Sequence, residues 1–173
     1  MKKRLFTGIP LPVQTVKVLV AHQDKLKESV RARWVPGDNL HLTLVFLGSV
    51  DESAIPSIAA ALEHAVAGLP AFQAKTAATG SFSKRVLWTG VEPKAPLTQI
   101  HDAIRQALAV SAERFVPHIT LARDFRTEGP LPDAVTTEFT VDSFCLFESI
   151  QTPKGVRYAV LQKFPLGGAP CTP

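Results

Sequence analysis

The stretch HLTL at residues 41–44 returns, with one Leu-to-Ile change, as HITL at residues 118–121. In a β-strand, side chains two residues apart lie on the same face of the sheet. Each copy therefore places a His and a Thr on one face, while its aliphatic residues point to the other face and into a core. If the two strands come face to face, they supply two imidazoles and two hydroxyl groups around one pocket. This combination suits acid–base chemistry on an anion.

The rest of the chain predicts helices and further strands around each motif. Helices are expected at about 13–31, opened by Pro12, then after Ser53, and from Pro96 onward. Strands are expected at residues 4–9, 41–47, 72–79, 85–91, 118–122, 138–147 and 156–164, with loops at 80–84 and 123–133. A motif that recurs in a second set of similar elements favours a duplicated, bilobal α+β fold. We therefore expect a single domain over residues 1–166 and a flexible tail at 167–173.

Composition sets broad limits on function. The 173 residues carry a formal charge of +4, a mild excess that favours an acidic substrate over a basic one. Cys145 lies in an apolar run and Cys171 in the tail, so the chain has no disulfide framework, and we expect a reduced, cytoplasmic protein. The basic start is soon interrupted by Gly8 and Pro10, unlike a signal peptide. No apolar run approaches the length of about 18 residues that a membrane span needs.

His41 and His118 are the candidate catalytic residues, with Thr43 and Thr120 beside them. One such tetrapeptide alone is most simply a strand whose His bonds to backbone or lies at a sheet edge. Two near-identical copies, each at the start of a predicted strand, favour a functional pair. A zinc site is the alternative, but it needs three or four protein ligands, and neither motif has a carboxylate or Cys at a useful offset. We therefore expect no metal.

The remaining histidines and the basic and aromatic residues near the motifs carry weaker signals. His22, His64 and His101 lie on predicted helices, and we expect no catalytic role for them. Arg123 follows the second motif with the opposite strand parity to His118, although a bulge could re-aim it to clamp a phosphate. Aromatic rings stack on bases and cations bind phosphates, so four further residues are candidates for nucleotide contacts: Trp34, Phe82, Lys84 and Arg85. For the two aromatic residues, core packing is the alternative.

Longer stretches around the motifs resemble a known family. They are RWVP at 33–36, NLHLTLVFLG at 39–48, VLWTGV at 86–91 and FVPHITLAR at 115–123. Over nearly its whole length the chain is similar to the two-histidine phosphoesterase superfamily. Within that superfamily it resembles the RNA 2′,3′-cyclic phosphodiesterases, which are also called 2′-5′ RNA ligases.

The resemblance implies a fold and a reaction. The fold would be two antiparallel sheets, related by a pseudo-two-fold axis, that face a central cleft with helices outside. The reaction would be metal-independent hydrolysis of RNA 2′,3′-cyclic phosphate ends to 2′-phosphomonoesters, together with reversible 2′-5′ RNA ligation. His118 would activate water, His41 would protonate the leaving 3′ oxygen, and Thr43, Thr120 and Arg123 would bind the phosphate. No cofactor is implied, and the partner would be RNA, with tRNA fragments as one candidate, bound by a monomer.

Two other functions remain open from the sequence. A nucleotide- or RNA-binding module could keep the cleft without turnover, although the intact His and Thr pairs argue against this. Another phosphodiester, such as a small cyclic nucleotide, could be the substrate. A preference for mononucleotides over oligomers would identify that case.

Overall fold

The computed structural model describes residues 1–127 and 129–167, so most of the predicted tail lies outside the described residues. The elements in chain order are β1 (Lys2–Pro10), α1 (Val13–Leu26), β2 (Arg31–Trp34), β3 (His41–Asp51), α2 (Ile55–Ala65), β4 (Phe72–Phe82), β5 (Val86–Glu92), α3 (Lys94–Ala107), β6 (His118–Arg126), β7 (Glu138–Val141), β8 (Ser143–Thr152) and β9 (Gly155–Pro165). Short 3-10 helices at Gly37–Asn39 and Glu52–Ala54 precede β3 and α2. Within the described ranges, no helix is long and apolar enough to cross a membrane.

The strands form two antiparallel halves that meet at the motif strands. One half is β7-β4-β5-β6 with β2 added beside β6, and the other is β3-β1-β8-β9. In the described part of the chain, β3 and β6 are paired through Leu42 and Ile119 alone. Each half thus contributes one motif strand to the junction. The predicted bilobal, antiparallel α+β fold is confirmed, with the β3–β6 pair joining the two halves into one nine-stranded sheet.

The core fixes which face of each motif strand carries the His and Thr side chains. Leu42 and Ile119 are fully buried, in one cluster with buried leucines from each helix, namely Leu19, Leu62 and Leu97. Burying one such side chain is worth about 1.5–3 kcal/mol. A slip of one residue would move the whole set to the wrong face, so the apolar residues specify the strand register.

Three regions of strand differ from the sequence prediction. The strand expected at 138–147 is two strands, β7 and β8, which lie in different halves of the sheet. The first helix was expected to reach about residue 31, but α1 ends at Leu26 and residues 31–34 form β2 along β6. Alternation explains β2, since Ala32 and Trp34 pack into a cluster while Arg31 and Arg33 are exposed. Because β2 supplies a partner, β6 continues to Arg126 through residues expected to be loop.

The β4–β5 hairpin is also tighter than predicted. β4 extends to Phe82, and Ser83 and Lys84 both have positive φ, at 50° and 52°. The Arg85 N–H donates to the Phe82 carbonyl and closes the turn. Positive φ at both central residues is the requirement of the type I′ turn that suits the twist of a hairpin. Phe82 is therefore a strand residue, held at the end of the hairpin.

Candidate active site

Each motif histidine is oriented by a backbone carbonyl. The Nδ1 of His41 lies 2.7 Å from the Asn39 carbonyl oxygen, and the Nδ1 of His118 lies 2.6 Å from that of Val116. Because a carbonyl can only accept, Nδ1 carries the hydrogen in both rings, and the Nε2 of each neutral ring is the proton acceptor. The Thr43 hydroxyl donates to Nε2 of His41 at 2.8 Å. The two imidazoles are thus held in equivalent tautomers on opposite halves of the molecule.

The two rings and one guanidinium influence each other electrostatically. Burial lowers the pKa of His41, the hydrogen bond to Asn39 opposes this, and the positive charges of His118 and Arg123 lower it further. Burial likewise lowers the pKa of His118, with Arg123 acting in the same direction. Desolvation and like charge both disfavour the imidazolium form. The three groups therefore lie close enough to act on one another, and a bound anion would offset their positive charges.

Aromatic rings surround each histidine. Phe82 meets the His118 ring edge-on at a centroid distance of 4.9 Å, and Trp88 lies 5.7 Å from it. Phe6 and Tyr158 each lie 5.0 Å from the His41 ring. These rings restrict water and hold the imidazoles in place. Sequence reasoning singled out Phe82 but missed the others, although Trp88 lies in the VLWTGV stretch at residues 86–91.

A cleft of about 830 Å³ connects the halves. Thr43 lines it from one half and His118 from the other, together with Phe46, Phe82 and Trp88. It continues to the face of α3. Thr120 lies on the same face of β6 as His118, two residues further along, and is half-buried like it. Of the four predicted residues, Thr43 and His118 thus line the cleft, while His41 is hydrogen-bonded to Thr43 and Thr120 lies beside His118 on its strand.

A bulge turns Arg123 toward the same face. Trp88 pairs with Thr120 but Leu87 pairs with Ala122, so Leu121 is an extra residue on β6. A bulge of this kind reverses the side-chain alternation beyond it. Arg123 consequently shares the face of His118 instead of the core face that simple alternation assigns to it.

The other predicted nucleotide contacts separate into two groups. Phe82 lines the cleft, and Lys84 lies exposed in the adjoining turn. Arg85 is exposed and forms an ion pair with Asp124 at 3.1 Å. Trp34 is not brought to the cleft, because it pairs with Ala122 and packs with Leu87 and Phe125 on the core face of the sheet. The core-packing alternative for Trp34 is the one that the structure favours.

Acidic and thiol groups do not gather at the site. In residues 1–127 and 129–167, no group of three or more His, Cys, Asp or Glu side chains has the arrangement of a metal site. The motif residues offer two imidazoles and hydroxyl donors, and the cleft is also lined by charged or titratable side chains on and after α3, namely Lys94, His101, Arg105, Glu113 and Arg114.

Comparison with known proteins agrees with this geometry. The family model of the 2′-5′ RNA ligase superfamily matches residues 13–152. The chain is 36% identical to the RNA 2′,3′-cyclic phosphodiesterase of Thermotoga maritima over 91% of this chain and 92% of the relative. It is 35% identical to the protein of that name from Thermus thermophilus over 95% and 91% of the two chains.

Solved structures show the same fold. The crystal structure of Escherichia coli LigT in its apo form superimposes with a TM-score of 0.86 at 29% identity, over 96% of this chain and 99% of LigT. LigT in complex with 3′-AMP superimposes with a TM-score of 0.84 over the same shares of the two chains. With the two motifs on paired strands and the family model covering most of its length, this chain belongs to the 2′-5′ RNA ligase superfamily.

Proposed function

We propose that the protein hydrolyses 2′,3′-cyclic phosphate ends of RNA to 2′-phosphomonoesters. The observation that carries this proposal is the pair of imidazoles on opposite halves, each with Nδ1 held by a carbonyl and Nε2 as its proton acceptor. In-line displacement at phosphorus needs a base on one side and an acid on the other. The relatives named RNA 2′,3′-cyclic phosphodiesterase and the 3′-AMP complex of LigT support this class of substrate.

Each site residue has a role in the proposed reaction. His118 accepts a proton from the attacking water through Nε2, and His41 donates a proton to the departing 3′ oxygen. The P–O3′ bond breaks as the new P–O bond forms, and the phosphate stays on the 2′ oxygen. Thr43, Thr120 and Arg123 stabilise the charge that develops on the non-bridging oxygens. When a ribose 5′-hydroxyl attacks in place of water, the same displacement breaks the P–O3′ bond and gives a 2′-5′ linkage.

The proposal extends to the protein's setting. The net charge of +4 supports binding to an anionic polymer, and the buried free thiol of Cys145 suits a reducing, cytoplasmic environment. RNA ends, including those of tRNA fragments, are the substrates that we propose for a monomeric enzyme. Small cyclic nucleotides are the competing substrates, and they are distinguished by comparing kcat/KM for a mononucleotide and for an oligomer with the same end.

Phosphorus NMR of a short RNA ending in a 2′,3′-cyclic phosphate, with EDTA present, tests the reaction. We expect the wild type to form a 2′-monoester, and His41→Ala and His118→Ala to be roughly 10²–10⁴-fold slower, the usual contribution of one acid–base group. His64→Ala is the matched control, because His64 is exposed on α2 and should leave turnover unchanged. A 3′-monoester product would contradict the assigned leaving group. Persistence of the cyclic phosphate with wild type would refute the function.

A further inference from the structure

A buried amide on α1 forms hydrogen bonds to the bulge on β6. Gln23 is 2% exposed, and its Nε2 donates to the carbonyl oxygens of Leu121 and Val35, each at 2.9 Å. Leu121 is the extra residue of the bulge. Its carbonyl also accepts the Val35 N–H at 2.9 Å, so both lone pairs of this oxygen are used. Gln23 therefore joins the bulge to the chain that follows β2.

Hydrogen bonding, and not packing, explains why an amide lies at this position. α1 buries Thr15, Leu19 and Gln23, which are spaced by four residues and so share one face of the helix. Leu19, one turn before Gln23, belongs to the main apolar core. An apolar side chain would fill the same space without the desolvation cost of a buried amide, a cost that hydrogen bonds must offset. The bonds that Gln23 donates at the bulge do so.

The bulge on β3 has a buried polar side chain of its own. There, Gly8 pairs with Thr43 but Thr7 pairs with Val45, so Leu44 is the extra residue. The fully buried Thr7 hydroxyl accepts the Val45 N–H at 3.1 Å. In both halves, a polar side chain thus satisfies backbone groups at the point where the regular ladder is interrupted.

The direction of side chains at the end of β6 depends on its bulge. Leu121 and Ala122 are adjacent and both fully buried, whereas Arg123 is exposed on the face of His118. The charge of Arg123 lowers the pKa of His118 and of His41, so the guanidinium acts on both rings. In a regular strand, Arg123 would alternate onto the core face, where an unpaired charge is costly. Stabilising the bulge therefore keeps Arg123 beside the histidines.

We propose that Gln23 is a positioning residue for Arg123, because it stabilises the bulge that directs the guanidinium to the phosphate-binding face. This inference rests on the proposed function, in which Arg123 binds the phosphate. Gln23 is buried in the core, so it acts through the Leu121 carbonyl and not through contact with the substrate. It thereby links α1, which carries no motif residue, to the anion site.

A double-mutant cycle with Arg123 tests this role. Gln23→Met keeps the length of the side chain and its helix propensity but removes both donated hydrogen bonds. The probe is inorganic phosphate, with its dissociation constant measured by calorimetry. We expect Arg123→Gln to weaken phosphate binding by roughly 10- to 100-fold, as for the loss of hydrogen bonds to a charged group. Gln23→Met should weaken it by roughly 3- to 100-fold in the wild-type background, but by less than about 2-fold when Arg123→Gln is present.

The pKa of His118 gives a second readout, which needs no ligand. Arg123 lowers this pKa, so Arg123→Gln should raise it in an NMR titration of the imidazole. Gln23→Met should also raise it, because the guanidinium moves away, and should add nothing to the effect of Arg123→Gln. Equal effects of Gln23→Met in both backgrounds, or no effect in either, would overturn the positioning role.

Thr76→Val is the control for the loss of buried hydrogen bonds in general. Thr76 is 1% exposed on β4, and its hydroxyl donates to the Val135 carbonyl at 2.6 Å and accepts the Thr137 N–H at 2.9 Å. Because β5 separates β4 from β6, Thr76→Val should lower the urea midpoint but leave the phosphate affinity and the His118 pKa as in wild type. A change in both quantities like that in Gln23→Met would overturn the proposal, since general destabilisation would then account for it.

Failure of the proposed function is recognised separately. If the wild type binds phosphate but does not hydrolyse the cyclic end of RNA, the phosphodiesterase proposal falls, and the cycle still decides the role of Gln23. If phosphate does not bind to the wild type, the His118 titration decides it alone. If the RNA end is hydrolysed, Gln23→Met should lower kcat/KM in the wild-type background by a larger factor than in the Arg123→Gln background, and equal factors would contradict the positioning role.

Discussion

At the level of single residues, protonation of the two imidazoles should govern the pH dependence of the reaction. Burial and the charge of Arg123 lower the pKa of both His41 and His118. The reactive form needs one neutral and one charged imidazole, and the charged form of such a group is populated only at or below its pKa. We therefore expect kcat/KM to follow a bell-shaped curve with its maximum below about pH 6.5, the ordinary pKa of His.

The charge of Arg123 provides a direct check on this pH prediction. Arg123→Gln removes a positive charge that lowers both histidine pKa values. Besides slowing the reaction, this change should move the maximum of kcat/KM to higher pH. Lys17→Gln, at an exposed position on α1, is the charge-matched control and should leave the maximum in place. A maximum above pH 7 in wild type, or an identical profile in Arg123→Gln, would contradict the assignment.

At the level of elements, alternation along a strand explains which site residues the sequence predicts. A period of two places His41 with Thr43 and His118 with Thr120, and the structure agrees. The same rule fails beyond each bulge, so Phe46 was missed and Arg123 was assigned only provisionally. No local pattern marks a bulge, because it arises from pairing with a distant strand. The sequence left Trp34 open between a nucleotide contact and core packing for a similar reason, since β2 forms only by pairing with β6.

The β4–β5 hairpin contains a glycine, Gly80, whose lack of a side chain leaves room for the Trp88 ring beside His118. Gly80 pairs with Trp88, and a Cβ built on Gly80 would lie 2.2 Å from atoms of the indole ring. Gly80→Ala must therefore push the indole out of its position next to His118. We expect a loss of about 1–3 kcal/mol in the free energy of unfolding, as for other overpacked sites, and a lower kcat. Urea unfolding and single-turnover rates measure the two effects.

Gly129→Ala is the matched control for this hairpin prediction. A Cβ on Gly129 would meet the Thr127 hydroxyl oxygen at 3.9 Å, an ordinary contact distance. The variant should therefore resemble wild type in both stability and rate. If Gly80→Ala behaved in the same way as Gly129→Ala, Trp88 would have no part in holding His118.

On the scale of the whole molecule, the duplicated halves divide the work of the site. Each half supplies a histidine with its Nδ1 on a carbonyl, a threonine, and a bulge, which lies at Leu44 on β3 and at Leu121 on β6. The position after the bulge then differs, with a guanidinium on one side and an exposed ring on the other. The repeated strands thus hold matching histidines and threonines in the two halves, whereas the residue five positions after each histidine differs.

A shared core should make the two halves unfold together, as we propose for a single domain. The main core cluster contains Leu5 from one half and Leu121 from the other, and Leu42 is fully buried at the junction. Leu42→Ala should lower the free energy of unfolding by about 2–5 kcal/mol, whereas the exposed Val13→Ala should not. Both tryptophans, Trp34 and Trp88, lie in the half that contains β6. Tryptophan fluorescence and far-UV circular dichroism should therefore give one coincident urea transition in wild type and in Leu42→Ala, because independent halves would separate the two midpoints.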